Sequence, residues 1–281
     1  MPRRPALAVL DVGFTKHPDL PERRLLACRD ATGRRVVPFR YGDPATSAEH
    51  GTRTMLLAAG DGSVSALPSL APEAAVVLLK VGEGQRVPRE AIVRAFRWLL
   101  AEGPGLGVRV VLCPLGDDPE LPGTPSPVPD LVRELDEAGL VVVAAAGWDP
   151  GGHCVSPASS PHALGVGGWD LERDAPAAGP RVEVLSGVLK PDLLAPSTPL
   201  AVPAADGSPR QERAGGTSFA ASLVAGAALH LLRAEPRIGR ADLLERLRSH
   251  GRVVAGQPPY LDPGRLREVS EVPARARAQL R

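Results

Sequence analysis

The sequence predicts an α/β fold of three layers, with a mostly parallel central sheet flanked by helices. Short, continuous apolar runs recur along the chain at 6–10, 74–81, 108–112 and 140–146. Runs of that length without polar alternation are the pattern of strands buried on both faces. Segments with helical spacing of apolar residues lie between them, and strand–helix alternation implies right-handed parallel crossovers. Hydrophobic residues make up 43% and aromatics 3%, so the predicted core is built of Leu, Val and Ala.

The first run, Ala6 to Leu10, ends in Asp11-Val12-Gly13. An Asp at the C-terminal end of a strand lies where open α/β sheets place their sites. Residues 21 to 47 read as irregular. His50 is expected just before or within the first turn of a helix whose apolar part is Met55 to Ala59. A strand is predicted from Ala74 to Val81, then a helix from Pro88 to about Ala101 stopped by Gly103-Pro104-Gly105. Strand 108–112 follows. The five prolines between 119 and 129 exclude regular structure there. A helix from about Asp130 to Ala138, with Gly139 as its stop, leads to strand 140–146. Shorter strands are expected at Ala163–Gly167 and Val182–Leu185. Gly215-Gly216-Thr217-Ser218 then opens a long Ala-rich run to about Arg233, and Arg240 to Ser249 forms an amphipathic helix. A single domain over 1–269 is expected, followed by an Arg-rich tail over 270–281, with Arg265 onward a surface helix or a frayed end. There is no internal repeat.

Composition excludes several classes. A formal net charge of +1 argues against general nucleic-acid binding. No run of about 18 consecutive apolar residues is present and Ala6 to Leu10 is too short for a signal-peptide core, so no membrane association and a cytoplasmic location are expected. Cys28, Cys113 and Cys154 form neither a disulfide framework nor a CxxC metal spacing. No acidic cluster has calcium-ligand spacing, so no metal and no cofactor are expected.

Asp11, His50 and Ser218 are the three residue types that activate a hydroxyl. His takes the Ser proton; Asp fixes the His tautomer and stabilises the imidazolium. Ser218 at a helix N-terminus has unpaired backbone N–H groups beside it to stabilise an oxyanion. Taken singly, each residue is better read as an ordinary N-cap, a turn Asp or a helix-start His.

These stretches resemble the subtilisin-like serine proteases, the subtilases. Ala8-Val9-Leu10-Asp11-Val12-Gly13 with His17-Pro18-Asp19-Leu20 is similar to the family's Asp motif, His50-Gly51-Thr52 to the start of its His motif, and Gly216-Thr217-Ser218-Phe219-Ala220-Ala221 to its Ser motif. The Asp-His-Ser order is also the family's. The resemblance covers about Ala6 to Val269 and implies the subtilisin-like fold. It also implies a catalytic triad of Asp11, His50 and Ser218, acting on a peptide or protein substrate through an acyl-enzyme. It places the substrate-binding strands at Pro114, Leu115, Gly116, Asp117 and Gly147.

The departures from the family pattern bear on activity. Trp148 stands where the family has its oxyanion Asn, leaving the Ser218 N–H and the Thr217 hydroxyl as further donors. Arg53 replaces the second His of the His motif. Pro114 keeps its carbonyl but has no N–H for a substrate strand. Asp117 and Asp118 near the primary specificity pocket either favour a basic side chain or are solvated loop acids. The start of the chain is read as leaving no room for a signal or an inhibitory pro-segment. The expectation is therefore a slow or narrowly selective endopeptidase, with a dedicated partner protein as an option. The alternatives are a pseudoprotease used as a binding or regulatory module, and an esterase or peptide ligase using the same chemistry.

Overall fold

The computed structural model describes residues 4–42, 48–84, 86–116, 126–147, 152–180, 182–185, 187–262 and 264–265. The strands are β1 (Ala6–Asp11), β2 (Leu25–Asp30), β3 (Val37–Pro38), β4 (Val76–Lys80), β5 (Val108–Cys113), β6 (Val141–Ala145), β7 (Ala163–Asp170), β8 (Ala175–Pro176), β9 (Glu183–Leu185), β10 (Val188–Lys190), β11 (Leu193–Thr198), β12 (Leu200–Pro203), β13 (Gln211–Ala214), β14 (Gly251–Arg252) and β15 (Tyr260–Leu261). The helices are α1 (Glu49–Ala59), α2 (Arg89–Leu106), α3 (Val128–Glu137), α4 (Thr217–Ala234) and α5 (Arg240–Ser249). Eleven strands make one sheet in the order β14-β15-β11-β7-β6-β5-β1-β4-β2-β3, with β8 beside β7. The β2-β4-β1-β5-β6-β7-β11-β15 pairings are all parallel.

The apolar runs are explained by burial on both faces. In β1, Leu7 and Val9 pack into the core layer under α1, α4 and α5. Ala6, Ala8 and Leu10 pack into the layer under α2 and α3. A strand sandwiched in this way has no solvent side on which to carry polar residues. The predicted three-layer α/β class is the architecture observed.

Several boundaries differ from the expectation. Residues 21–47 contain β2, which pairs in parallel with β4. Most of its residues are only half-buried, so its sequence, Leu-Leu-Ala-Cys-Arg-Asp, lacks the apolar signature. Helix α2 runs through Gly103 and Pro104 to Leu106 and ends at Gly107, which has φ 78°. Proline at 104 removes one intrahelical donor in the final turn, and the left-handed Gly107 is the true stop. Helix α3 begins two residues earlier than predicted, because Pro129 fits a first helical turn. Strand β9 pairs with β10 in a separate hairpin rather than joining the main sheet. Helix α4 has the length and mean hydropathy of a membrane span (18 residues, mean hydropathy 1.3), although Thr217, Ser218, Ser222, His230 and Arg233 interrupt its apolar residues, and 61% of it is buried in this fold. The tail from 266 onward lies outside the described residues.

Candidate active site

Asp11 is the last residue of β1 and His50 is the second of α1. Their contact depends on Gly51. A Cβ at position 51 would collide with the Gly13 carbonyl oxygen and lie 2.8 Å from Asp11 Cβ. Only glycine lets the helix start press against the strand end. Gly51→Ala should therefore cost roughly 1–3 kcal/mol by overpacking, read as a lowered denaturation midpoint. A midpoint unchanged from wild type would mean that the contact yields freely. Thr52 completes the local logic. Its hydroxyl donates to the Ala48 carbonyl at 2.6 Å and accepts from the Thr15 N–H at 2.7 Å, tying the first turn of α1 to the loop after β1.

The Asp11 side chain is fully buried. It accepts from Val12 N–H at 2.8 Å, from Thr54 Oγ1 at 3.0 Å and from His50 Nδ1, which lies 2.9 and 3.0 Å from the two carboxylate oxygens. A carboxylate accepts, so His50 Nδ1 carries the proton and the Nε2 lone pair is free. Burial works to lower the His50 pKa, but the charge and hydrogen bond of Asp11 outweigh it. Even with Arg53 opposing, the net shift is upward from 6.5.

Ser218 is the second residue of α4, half-buried, in a first turn whose N-cap Gly216 offers no side-chain oxygen. The first N–H groups of this helix are the orphan donors of any helix start. The next residue, Phe219, has its ring 5.8 Å from that of His50, which brings His50 to the first turn of the helix that carries Ser218. Among the described residues no hydrogen bond joins Ser218 Oγ to His50 Nε2; such contacts are often long in unliganded enzymes. The Thr217 hydroxyl accepts from Gly147 N–H at 3.1 Å, which locks the end of β6 to the start of α4 and leaves the hydroxyl proton free to point elsewhere.

Pro114, Leu115 and Gly116 follow β5, and Gly147 follows β6. Cys113 is in register with Ala144, so Gly116 and Gly147 emerge side by side at the same sheet edge as Asp11. Val155 lies across both. Its Cγ2 would be 2.7 Å from a Cβ at Gly116 and 2.5 Å from one at Gly147. The Val155 N–H bonds the Ala146 carbonyl at 3.0 Å, as if adding a short strand. Trp148, Asp117 and Asp118 lie outside the described residues. All three cysteines are free thiols. Burial pushes Cys28 up to about 11 and Cys154 up to about 12, so neither is a ready nucleophile.

Reading the sequence missed Thr54, the clamp of Val155 on two glycines, and an ion pair from Arg53 to Glu212. Thr54, four residues after His50 on the same helix face, had a signal in its spacing.

The model of the Subtilase family matches residues 3–256 of the chain. Among solved structures, "S41 Psychrophilic Protease" superposes with a TM-score of 0.74 at 22% identity, covering 88% of this chain and 83% of that one. "Prenylagaramide maturation protease PagA" superposes at 0.71 and 18% identity, covering 95% and 94%. At these identities the likeness is one of fold. No curated protein matches the sequence.

Proposed function

The chain belongs to the subtilase family, and from that premise we propose that it is a serine-type endopeptidase in which Asp11, His50 and Ser218 form the catalytic triad. The observation that carries this reading is the Asp11–His50 Nδ1 contact at the sheet edge, beside the first turn of the helix that bears Ser218. In the reaction, Ser218 Oγ attacks the peptide carbonyl while His50 Nε2 takes its proton. The C–N bond breaks as His50 returns the proton to the leaving amine, and water then hydrolyses the acyl-enzyme by the same route. The oxyanion is held by the Ser218 N–H, with the Thr217 hydroxyl and the Trp148 indole N–H as further donors. Loss of the usual Asn donor costs about 10²–10³ in subtilisin, which fits a slow enzyme.

Pro114, Leu115, Gly116, Asp117 and Gly147 bind the substrate in this reading, and Pro114 gives it one hydrogen bond fewer. Val155 fills the slot between the strand ends, so small side chains are preferred there. Val155→Gly is expected to raise kcat/KM for a large apolar side chain at least tenfold relative to a small one. A peptide-library profile identical to wild type would remove Val155 from selectivity. We place the protein in the cytoplasm, where its free thiols persist, acting on a narrow peptide or protein substrate.

The pH dependence follows from His50. Its neutral form is the base, and its pKa is raised above 6.5. Activity should fall as pH drops through a midpoint above 6.5, and a midpoint at or below 6.5 would contradict the net influence of Asp11.

The test of the whole reading is labelling by a fluorophosphonate probe, with wild type and Ser218→Ala. Labelling of the wild type alone is expected. Labelling of neither would overturn the reading in favour of a binding module built on the same fold.

A further inference from the structure

We propose that Arg53, through its ion pair with Glu212, is a positioning residue that holds the His50 end of α1 against the segment carrying Ser218. This rests on the triad reading above. Arg53 lies three residues after His50, on the same face of α1 one turn along. Its guanidinium donates through Nη2 to Glu212 Oε2 and, at 3.2 Å, to Glu49 Oε2. The Arg53 side chain is only 19% exposed, and that of Glu212 34%, so water screens this pair less than a surface ion pair.

Glu212 belongs to β13, which pairs with β12 in a hairpin, and Ser218 follows six residues later through Gly215 and Gly216. Two glycines leave that connection without side-chain anchoring of its own. An apolar cluster of Leu57 from α1, Val202 from β12 and Phe219 from α4 gathers the same three elements. Packing alone tolerates sliding, whereas a charge-assisted hydrogen bond from Nη2 to Glu212, shared with Glu49, adds a directional tie. The pair therefore ties the His50 end of α1 to the hairpin that leads into Ser218.

Asp11 on β1 and Arg53 on α1 are the charges that act on His50; Arg53 is paired in turn with Glu49 and with Glu212 on β13, and Arg210 lies 3.9 Å from Glu212. Strand β12 and the first turn of α4, Thr217 to Ala220, carry no ionisable side chain. Arg53 opposes protonation of His50. Removing Arg53 should favour the imidazolium, while removing Glu212 should leave the Arg53 charge less neutralised and disfavour it.

The experiment measures the rate of fluorophosphonate labelling against pH for wild type, Arg53→Gln, Glu212→Gln, the double variant and Arg53→Lys, with thermal unfolding to confirm folding. Each single Gln variant should label about ten- to a hundredfold more slowly on the neutral plateau, the scale of a misplaced catalytic group. The double variant should be no slower than the slower single. The acid limb should move to higher pH in Arg53→Gln and to lower pH in Glu212→Gln, a divergence that loss of packing would not produce. Arg53→Lys should recover only part of the rate. A labelled wild type with folded single variants at the same plateau rate, or limbs that move together, overturns the pairing and leaves the triad reading intact. Failure of the wild type to label overturns the triad reading, and the pairing with it. Glu212→Gln, at the more exposed partner, keeps the test decisive should Arg53→Gln fail to fold.

Discussion

Under the triad proposed above, Asp11→Asn is expected to leave the chain folded and to slow acyl transfer about 10⁴-fold, the loss typical of this exchange in a Ser-His-Asp unit. The hydrogen bonds around the carboxylate say why. Val12 N–H donates to Oδ1 at 2.8 Å, so the oxygen of an Asn amide is drawn to that side. Its NH₂ then takes the place of Oδ2, facing Thr54 Oγ1 and His50 Nδ1, both at 3.0 Å. Thr54 can accept, because its own proton also reaches the Gly51 carbonyl at 3.1 Å. That NH₂ competes at Nδ1 with the amide oxygen 2.9 Å away, and each imidazole that accepts from it carries its own proton on Nε2, where it blocks uptake of the Ser218 proton. The negative charge that stabilises the imidazolium is lost at the same time. Backbone packing at Gly51 is untouched, so the unfolding midpoint should hold within about 3 °C. Hydrolysis of an activated peptide ester within tenfold of wild type would remove Asp11 from the orienting role.

The second large effect is on stability. Lys190 is completely buried, with Nζ donating to Asp192 Oδ2 at 2.6 Å and to the Ala163 carbonyl at 2.9 Å. Asp192 also accepts from Gly165 N–H at 2.7 Å. Burial lowers the Lys190 pKa, and Asp192 works against that. Lys190→Met removes one charge and strands the other in the interior. Such a break costs about 3–5 kcal/mol, roughly 10 °C in Tm for a domain of this size. Adding Asp192→Asn, which keeps an acceptor for Gly165, should recover most of the loss. Calorimetry of the two variants checks this. A single variant within about 1 kcal/mol of wild type would show that the pair contributes little net stability.

The legible parts of this fold were those buried on both sides. Val-Val-Leu-Leu in β4 has only one environment that suits it, whereas Leu-Leu-Ala-Cys-Arg-Asp in β2 suits several, and that strand was missed. Helix α5 was placed at its observed ends because Leu243, Leu244 and Leu247 mark one face cleanly. Asp11 and His50 were legible as residue types, and the Gly51 approach explains why their motifs read as they do. Trp148 and Asp117, on which much of the expected departure in activity rested, lie outside the described residues. The Arg53–Glu212 pair was beyond reach of local patterns, since 159 residues separate its partners.

Helix α4 covers the core face of β1, β5, β6, β7 and β11, and this has a consequence for how the protein is made. By the time β6 ends at Ala145, six adjacent strands, β6-β5-β1-β4-β2-β3, are ready to associate, yet α4 ends only at Ala234, 234 − 145 = 89 residues later. At about 5–20 residues per second on the ribosome, that is roughly 4–18 seconds. Throughout that interval, of the helices that cover that face, only α1 has been made. Ser218 is carried by the first turn of α4, and α5 adds Leu243, Leu244 and Leu247 to the same core only after it. Truncated products ending before α4 should be prone to aggregate, because the sheet face that α4 covers stays exposed in them.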